Sequence, residues 1–250
     1  MPSSPDDRSD DGAAPDSPRA GVLLDVDGTL LDTNFLHVVA WSRALRAADV
    51  HGVPMAVLHR AIGLGSSELV RRVLGDGLGS PGSDAVDDDL VEAVTSGHSD
   101  QYARMREEVE PFPRAADLID ALAQRDLAVV LATSGDKSDL DWMLPAVGAG
   151  DELAGVLTSG DVEAAKPAPD IFGRAAEAHG LDPSRCVAVG DTVWDVESAG
   201  SAGMPCIALT CGGSSREELL GAGAAAVYRD PADLLENLDG SPVGELLRTR

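Results

Sequence analysis

Gly21-Val22-Leu23-Leu24-Asp25-Val26-Asp27-Gly28-Thr29-Leu30-Leu31-Asp32 is the stretch on which the reading of this chain turns. An apolar run without charge ends in two aspartates that flank one valine, and Gly-Thr follows. Val22–Leu24 has the pattern of a strand buried on both faces, where an aspartate is costly unless compensated. Two carboxylates at the carboxyl end of such a strand require a cation or a shared proton. Open α/β sheets also hold their ligands at that end. The segment therefore demands a metal and offers a nucleophile.

The remainder of the chain limits what that site can serve. Its 250 residues suffice for one large domain or for a core plus a smaller cap. Hydrophobic residues make up 44%, which predicts a globular protein, and aromatics only 3%, so the core must be Ala, Val, Leu and Ile. No apolar run approaches a membrane span. Residues 1–20 are rich in Asp, Ser and Pro without an apolar stretch, and read as a disordered acidic tail rather than a secretory signal. A formal net charge of −24 repels nucleic acid and anionic membranes and argues against both as partners. Cys186, Cys206 and Cys211 are odd in number and fit no metal knuckle. Cys186 and Cys206 sit in apolar segments and read as buried thiols, which places the protein in a reducing cytoplasm.

After Asp32 the pattern becomes helical. Phe35, Val38, Val39, Trp41 and Leu45 recur at steps of three and four residues. Further helices start near Pro54 and Ser66, Gly75–Ser83 reads as a linker, and Asp84–Glu108 as a long acidic helix. From Pro111 strands and helices alternate, with strands at Leu127–Ala132, Gly155–Thr158, Cys186–Val189, Pro205–Leu209 and Ala224–Tyr228. That alternation predicts a parallel sheet covered on both faces. The expected architecture is α/β: a Rossmann-like parallel-sheet core from 21–32 and 111–240, an inserted α-helical bundle over 33–110 acting as a cap, and a C-terminal tail over 241–250.

Three later motifs fall at expected strand ends. Thr133-Ser134-Gly135 can cradle a phosphate through hydroxyl and backbone donors, and it equally suits a turn with a helix cap. Lys166-Pro167 fixes a lysine in a chain whose only other lysine is Lys137. Arginine serves almost everywhere else, so a compact ammonium has a specific use there, although a solvated lysine before a helix has the same pattern. Val187-Ala188-Val189-Gly190-Asp191-Thr192-Val193-Trp194-Asp195 repeats the opening logic, an apolar strand running into carboxylates. Asp191 could simply cap a helix. Beside Asp25 and Asp27, a hard-cation site that suits Mg2+ explains it better.

The ordered set Asp25-Val26-Asp27-Gly28-Thr29, Thr133-Ser134, Lys166-Pro167 and Gly190-Asp191 through Asp195 resembles the haloacid dehalogenase superfamily over roughly residues 21–240. The helical insert directly after the first strand is similar to the cap of its subfamily I, in which phosphoglycolate-phosphatase-like and β-phosphoglucomutase-like enzymes fall. The stretch between Thr133 and Lys166 is too short for the alternative cap. The resemblance implies a phosphoric monoester hydrolase. Asp25 would attack phosphorus and form an aspartyl-phosphate; Asp27 would protonate the leaving alcohol and then deprotonate water. Thr133 and the Ser134 N–H would hold phosphoryl oxygens, and Lys166 would neutralise charge. Mg2+ would be bound by Asp25, Asp191 and the Asp27 carbonyl, with Asp195 supporting from behind.

Asp27 selects within the superfamily. A halide needs no proton, so an acid at this position favours an oxygen leaving group. The phosphonate-cleaving branch uses a cap lysine, and no lysine lies between Thr33 and Glu110. A sugar-phosphate mutase shares core and cap, but Ile62-Gly63-Leu64-Gly65-Ser66-Ser67-Glu68 lacks the arginine that grips a second phosphate there. A non-catalytic binding protein of the same fold has no need of Asp25, Asp27, Lys166 and Asp191 together. The expected substrate is a small phosphorylated metabolite. The cap offers Arg60, Arg71 and Arg72 to an anion, Trp41 and Trp194 read as packing residues, and His37, His51, His59, His98 and His179 show no ligand spacing. Neither the particular ester nor the oligomeric state is encoded in a recognisable motif.

Overall fold

In the computed structural model, which describes residues 19–77, 86–135, 137–158 and 171–248, Val22, Leu23 and Leu24 are fully buried in β1 (Arg19–Leu24). β1 pairs in parallel with β2 (Ala128–Thr133) on one side and β4 (Leu181–Gly190) on the other. β3 (Gly155–Thr158), β5 (Cys206–Leu209) and β6 (Ala226–Tyr228) complete one parallel sheet ordered β3-β2-β1-β4-β5-β6. The order reverses at β1, with β2 and β4 on opposite sides, which is where such sheets open a crevice at their carboxyl ends.

Alternation along β1 divides the core between two layers. Val22 and Leu24 pack with Leu118 and Ile119 of α5 (Ala115–Ala123), Met143 of α6 (Leu140–Val147), and Leu234 of α10 (Pro231–Glu236). Leu23 faces the opposite layer, with Phe172 of α7 (Ile171–Ala178), Val196 of α8 (Val193–Ser201) and Leu219 of α9 (Arg216–Ala222). Phe172 is fully buried and is the one aromatic in this cluster among the described residues, in keeping with an aromatic-poor composition.

Between β1 and α5 the described residues form four helices: α1 (Asn34–Ala47), α2 (Met55–Ala61), α3 (Ser66–Gly77) and α4 (Asp88–Ala103). They bury an apolar cluster of their own that includes Trp41, Leu45, Leu58, Leu69, Val73 and Val94. Among the described residues no helix is long and apolar enough to cross a membrane.

Several boundaries differ from the sequence expectation. The acidic tail expected over 1–20 ends earlier, because Arg19 and Ala20 belong to β1 and Ala20 is buried against the sheet; residues 1–18 lie outside the described residues. The expected tail over 241–250 contains α11 (Pro242–Arg248) instead. The buried Ser241 Oγ accepts from the Val243 N–H at 3.2 Å, and the fully buried Val243 fills the Leu234 side of the core. The long acidic helix stops at Ala103, and Arg106–Glu108 forms a 3-10 turn. Gly75–Gly77 continue α3, and the rest of the expected linker, 78–83, is outside the described residues.

Candidate active site

At the end of β1 the Asp25 N–H still donates to the Val189 carbonyl at 2.9 Å, extending the ladder past the strand. The chain then turns so tightly that the N–H groups of Thr29, Leu30 and Leu31 converge on the Val26 carbonyl at 3.2, 2.9 and 3.0 Å. Gly28 makes this possible at φ +81°, where a Cβ would stand 2.3 Å from Asn34 Nδ2 and 2.6 Å from Asp191 Oδ2. The turn holds Asp25 and Asp27 at the carboxyl end of the sheet.

Asp25, Asp191 and Asp195 each bring a carboxylate oxygen within 4.8 Å of the others. Asp191 stands where β4 ends and is fully buried, gripped through Oδ1 by Thr29 Oγ1 at 3.1 Å and through Oδ2 by Asn34 Nδ2 at 2.7 Å. Asp195 is the third residue of a capping box on α8: its Oδ2 accepts from Thr192 N and Oγ1 at 2.9 and 2.6 Å, while Thr192 Oγ1 accepts from its N–H at 3.2 Å. Burial pushes all three carboxyls upward. Repulsion from Asp195, Asp191 and Asp27 adds to the effect at Asp25, and repulsion from Asp195 adds to it at Asp191. Among the described residues no basic side chain pairs with the three. An all-oxygen, strongly anionic donor set fits a hard cation. Asp195, expected behind the metal ligands, stands in the cluster itself.

The Asp27 side chain is turned away from that cluster. Thr33 Oγ1 donates to its Oδ1 at 2.8 Å, Thr133 Oγ1 to its Oδ2 at 3.2 Å, and His37 Nε2 lies 3.2 Å from Oδ1. Thr33 is the N-cap residue of α1, yet its hydroxyl makes no capping bond because Asp27 takes it. Burial alone would raise the Asp27 carboxyl; the hydrogen bond and charge of His37, with Thr33 and Thr133, outweigh it and hold the group below its ordinary range. His37 Nδ1 lies 3.0 Å from His98 Nε2. The rings of His37 and Tyr102 stack at 3.9 Å, and those of Trp41 and His98 at 3.8 Å.

These two histidines, left without a role by the sequence reading, are the site residues it missed. The available signal was Thr33, His37 and Trp41 at successive i, i+4 steps directly after the Asp27 turn. Asn34 was missed as well. Besides Asp191, its Nδ2 donates to the Gly212 carbonyl at 3.0 Å, while its buried Oδ1 has no partner among the described residues. An unpaired buried acceptor costs about 1–3 kcal/mol.

Between the sheet end and the helices lies a cavity of about 120 Å³, bounded by Asp25, Asp27 and Asp191 on one side and His37, Tyr102 and Arg106 on the other. The helical insert rests on the core around it. Ser134 Oγ donates to the Gly63 carbonyl at 3.3 Å, and Trp194 Nε1 to the Arg60 carbonyl at 3.0 Å. Gly63 adopts φ +99°, and a Cβ there would lie 2.7 Å from Thr192 Oγ1. Of the arginines offered to an anion, none of Arg60, Arg71 and Arg72 lines the cavity. Arg71 binds the Val86 carbonyl and Asp88, and Arg72 lies 4.8 Å over the Trp194 ring. Arg106 borders the cavity instead, paired with Asp139, which also accepts from Trp142 Nε1 at 3.1 Å. Thr133 and Ser134 thus reach the site. Lys166 lies outside the described residues, as do 159–170.

The phosphoglycolate phosphatase of Rhodospirillum rubrum is 29% identical over 219 residues, covering 87% of this chain and 89% of that protein. The phosphoglycolate phosphatase of Escherichia coli (strain K12) is 30% identical over 241 residues, covering 90% and 94%. The crystal structure of a hydrolase from Pseudomonas syringae superposes with a TM-score of 0.80 at 30% identity, covering 89% of this chain and 99% of that one. A β-phosphoglucomutase from Clostridium difficile shares the fold at a TM-score of 0.72 and 18% identity, covering 92% and 98%. The family model for haloacid dehalogenase-like hydrolases matches residues 20–203, and the chain belongs to that family.

Proposed function

We propose that the protein is a Mg2+-dependent phosphatase that hydrolyses a small phosphorylated metabolite through an aspartyl-phosphate on Asp25. The observation that carries this reading is the unequal treatment of two carboxylates opening on one cavity. Asp25 belongs to the three-carboxylate cluster, and Asp27 is held apart by hydroxyls and an imidazole. The chain is a phosphoric monoester hydrolase, and the roles divide accordingly. The Asp25 carboxylate attacks phosphorus as the ester P–O bond breaks, and Asp27 gives the departing alkoxide a proton. A water then attacks the aspartyl-phosphate, loses its proton to Asp27, and releases phosphate with Asp25 restored. The donors around Asp27 favour its carboxylate form, which suits the second step. For the first, His37 Nε2 at 3.2 Å is placed to supply a proton.

Thr133 and the Ser134 N–H hold phosphoryl oxygens, and Lys166 screens their charge. Asp25, Asp191 and the Asp27 carbonyl hold Mg2+, with Asp195 as a further oxygen. The ion lowers the repulsion between an anionic nucleophile and a phosphate dianion. The helices from 33 to 110 act as a cap that excludes water during the first step. Unpaired Cys186 and Cys206, both buried, suit a reducing cytoplasm.

A cavity of about 120 Å³ beneath the helical insert suits a small phosphorylated metabolite. The stretch Ile62–Glu68, which contains no arginine to grip a second phosphate, argues against the mutase. The test is phosphate release from a panel of esters with Mg2+, with EDTA, and with Asp25→Asn. Release from esters of the panel that stops under EDTA and in the variant is the expected result. Release that survives both, or conversion of β-glucose 1-phosphate to the 6-phosphate without release, overturns the reading.

A further inference from the structure

Two consecutive residues at the start of α1 hold the site's two separate carboxylate systems. Thr33 Oγ1 donates to Asp27 at 2.8 Å, and Asn34 Nδ2 donates to Asp191 at 2.7 Å. The same nitrogen donates to the Gly212 carbonyl at 3.0 Å. A carboxylate and a carbonyl both only accept, so the amide nitrogen must face them and the side-chain orientation follows from chemistry. Asn34 is 2% exposed and leaves Oδ1 unpaired among the described residues. An apolar side chain of similar shape would fill the space without burying an unpaired acceptor. Space filling is therefore a poor account of an asparagine here; the two donated hydrogen bonds are a better one.

We propose that Asn34 is a positioning residue that aims Asp191 at the cation site and ties it to the first turn of the helical insert. The inference rests on reading Asp191 as a metal ligand. Thr29 holds the other carboxylate oxygen at 3.1 Å, so Asp191 is gripped from the turn after β1 and from α1. Partners that orient a ligand from behind typically change metal affinity 10–100-fold when removed. Since Asn34 belongs to α1 and Gly212 to the loop after β5, one side chain joins the metal ligand, the insert and the core. Cation binding then stiffens the start of α1, and by linkage a loosened α1 binds the cation more weakly.

The test uses the metal-free full-length protein titrated with Mg2+ by calorimetry, alongside amide hydrogen exchange of Asn34–Trp41 with and without Mg2+. The expected outcome for Asn34→Ala is Mg2+ binding weakened ~10–100-fold. Protection of Asn34–Trp41 induced by Mg2+ in the wild type should also disappear in the variant. Asn34→Leu, which keeps the shape and removes the donors, gives the same readout if the alanine variant does not fold. Affinity within about twofold of wild type in either folded variant, or unchanged Mg2+-induced protection, overturns the inference. If the wild type binds no Mg2+ and Asp191→Asn behaves identically, the metal reading itself fails and takes this inference with it. That result is distinct from wild-type binding that Asn34→Ala leaves intact.

Discussion

On the sheet side of the cleft, Asp25, Asp191 and Asp195 lie within 4.8 Å of one another and are raised by burial. On the helical side, Asp27 is surrounded by Thr33, His37 and Thr133 and is lowered despite the same burial. Asp25 and Asp27 are two residues apart in the chain, so the contrast arises from what the fold brings to each. Strand ends deliver carboxylates to Asp25 because β1 and β4 are neighbours in one parallel register. The first turn of α1 delivers hydroxyl and imidazole to Asp27. Groups whose environments drive them in opposite directions are suited to different chemical tasks. On the proposed function, the sheet side would attract a cation and a phosphate, and the helical side would manage a proton.

The strongest test of that division removes the nucleophile. Asp25→Asn is nearly isosteric, so the fold should persist, while phosphate release falls on the order of 10⁴-fold or more, as when other covalent nucleophiles are removed. No phosphorylated protein should be recoverable from it by acid quench and mass spectrometry. Substantial turnover would move the nucleophile elsewhere and dissolve the contrast between the two aspartates.

Asp27→Asn should act differently in kind. Loss of a general acid–base typically costs 10²–10⁴-fold, and an alkyl ester should suffer that in full. A p-nitrophenyl ester, whose leaving group needs little protonation, should still phosphorylate Asp25. Without a base for water the aspartyl-phosphate should then accumulate, visible as a burst of nitrophenolate and a stable mass adduct. Equal losses for alkyl and aryl esters with no adduct would show that Asp27 does not handle the proton.

The place of the two carboxylates could be inferred from the sequence because a strand ending in carboxylates is costly wherever it occurs; the roles proposed for them rest on the family resemblance. The parallel sheet could be inferred for the same kind of reason, through alternation of apolar strands with helices. The partners of Asp27 could not. His37 and His98 lie on α1 and α4, far apart in sequence, and only helix packing brings Nδ1 and Nε2 to 3.0 Å. Arg106 was unreadable as a cavity residue because a 3-10 turn carries no apolar period. α11 was missed because a short helix with Val243 as its fully buried residue leaves too little pattern to outweigh Gly and Pro nearby.

The junction between the two sides can be probed through Gly63. At φ +99° an alanine is strained, and its Cβ would press on Thr192 Oγ1, the hydroxyl that caps Asp195. Strain of this kind costs about 1–3 kcal/mol, roughly a 5 °C fall in Tm for a chain this size. Activity should fall by about tenfold as the Asp195 carboxylate loses its anchor, a change of about 1.4 kcal/mol. Gly65 is the control, since a Cβ there meets nothing within 4 Å. Gly65→Ala should leave Tm and rate close to wild type. Equal effects at 63 and 65 would mean that the insert does not seat on the Thr192 loop.

The smallest effect concerns stability on the helical side. His98 is held neutral, chiefly by burial and then by the neighbouring His37 charge, with its pKa pushed down to about 2; Asp27 opposes this weakly. It packs between the Trp41 ring at 3.8 Å and His37, with Tyr102 beyond. In the unfolded chain His98 takes up a proton below its ordinary value of about 6.5, while in the folded chain it does not. The unfolded state therefore binds more protons as pH falls, and stability is lost below pH 6.5 at up to ~1.4 kcal/mol per pH unit. The sheet side has the reverse sign. Its carboxyls are raised on folding, so the metal-free protein gains from them as pH falls. Between pH 7 and 5.5, His98→Gln should remove about 1 kcal/mol of acid destabilisation, measured by urea unfolding of both proteins at both values. His98→Gln also truncates a stacked ring, so the comparison is the difference between the two pH values within each protein. The lost packing cancels in that difference, whereas the lost proton uptake does not. Identical pH dependence in wild type and variant would mean that His98 takes up protons as readily in the fold as in the unfolded chain, and that burial on the helical side does not hold it neutral.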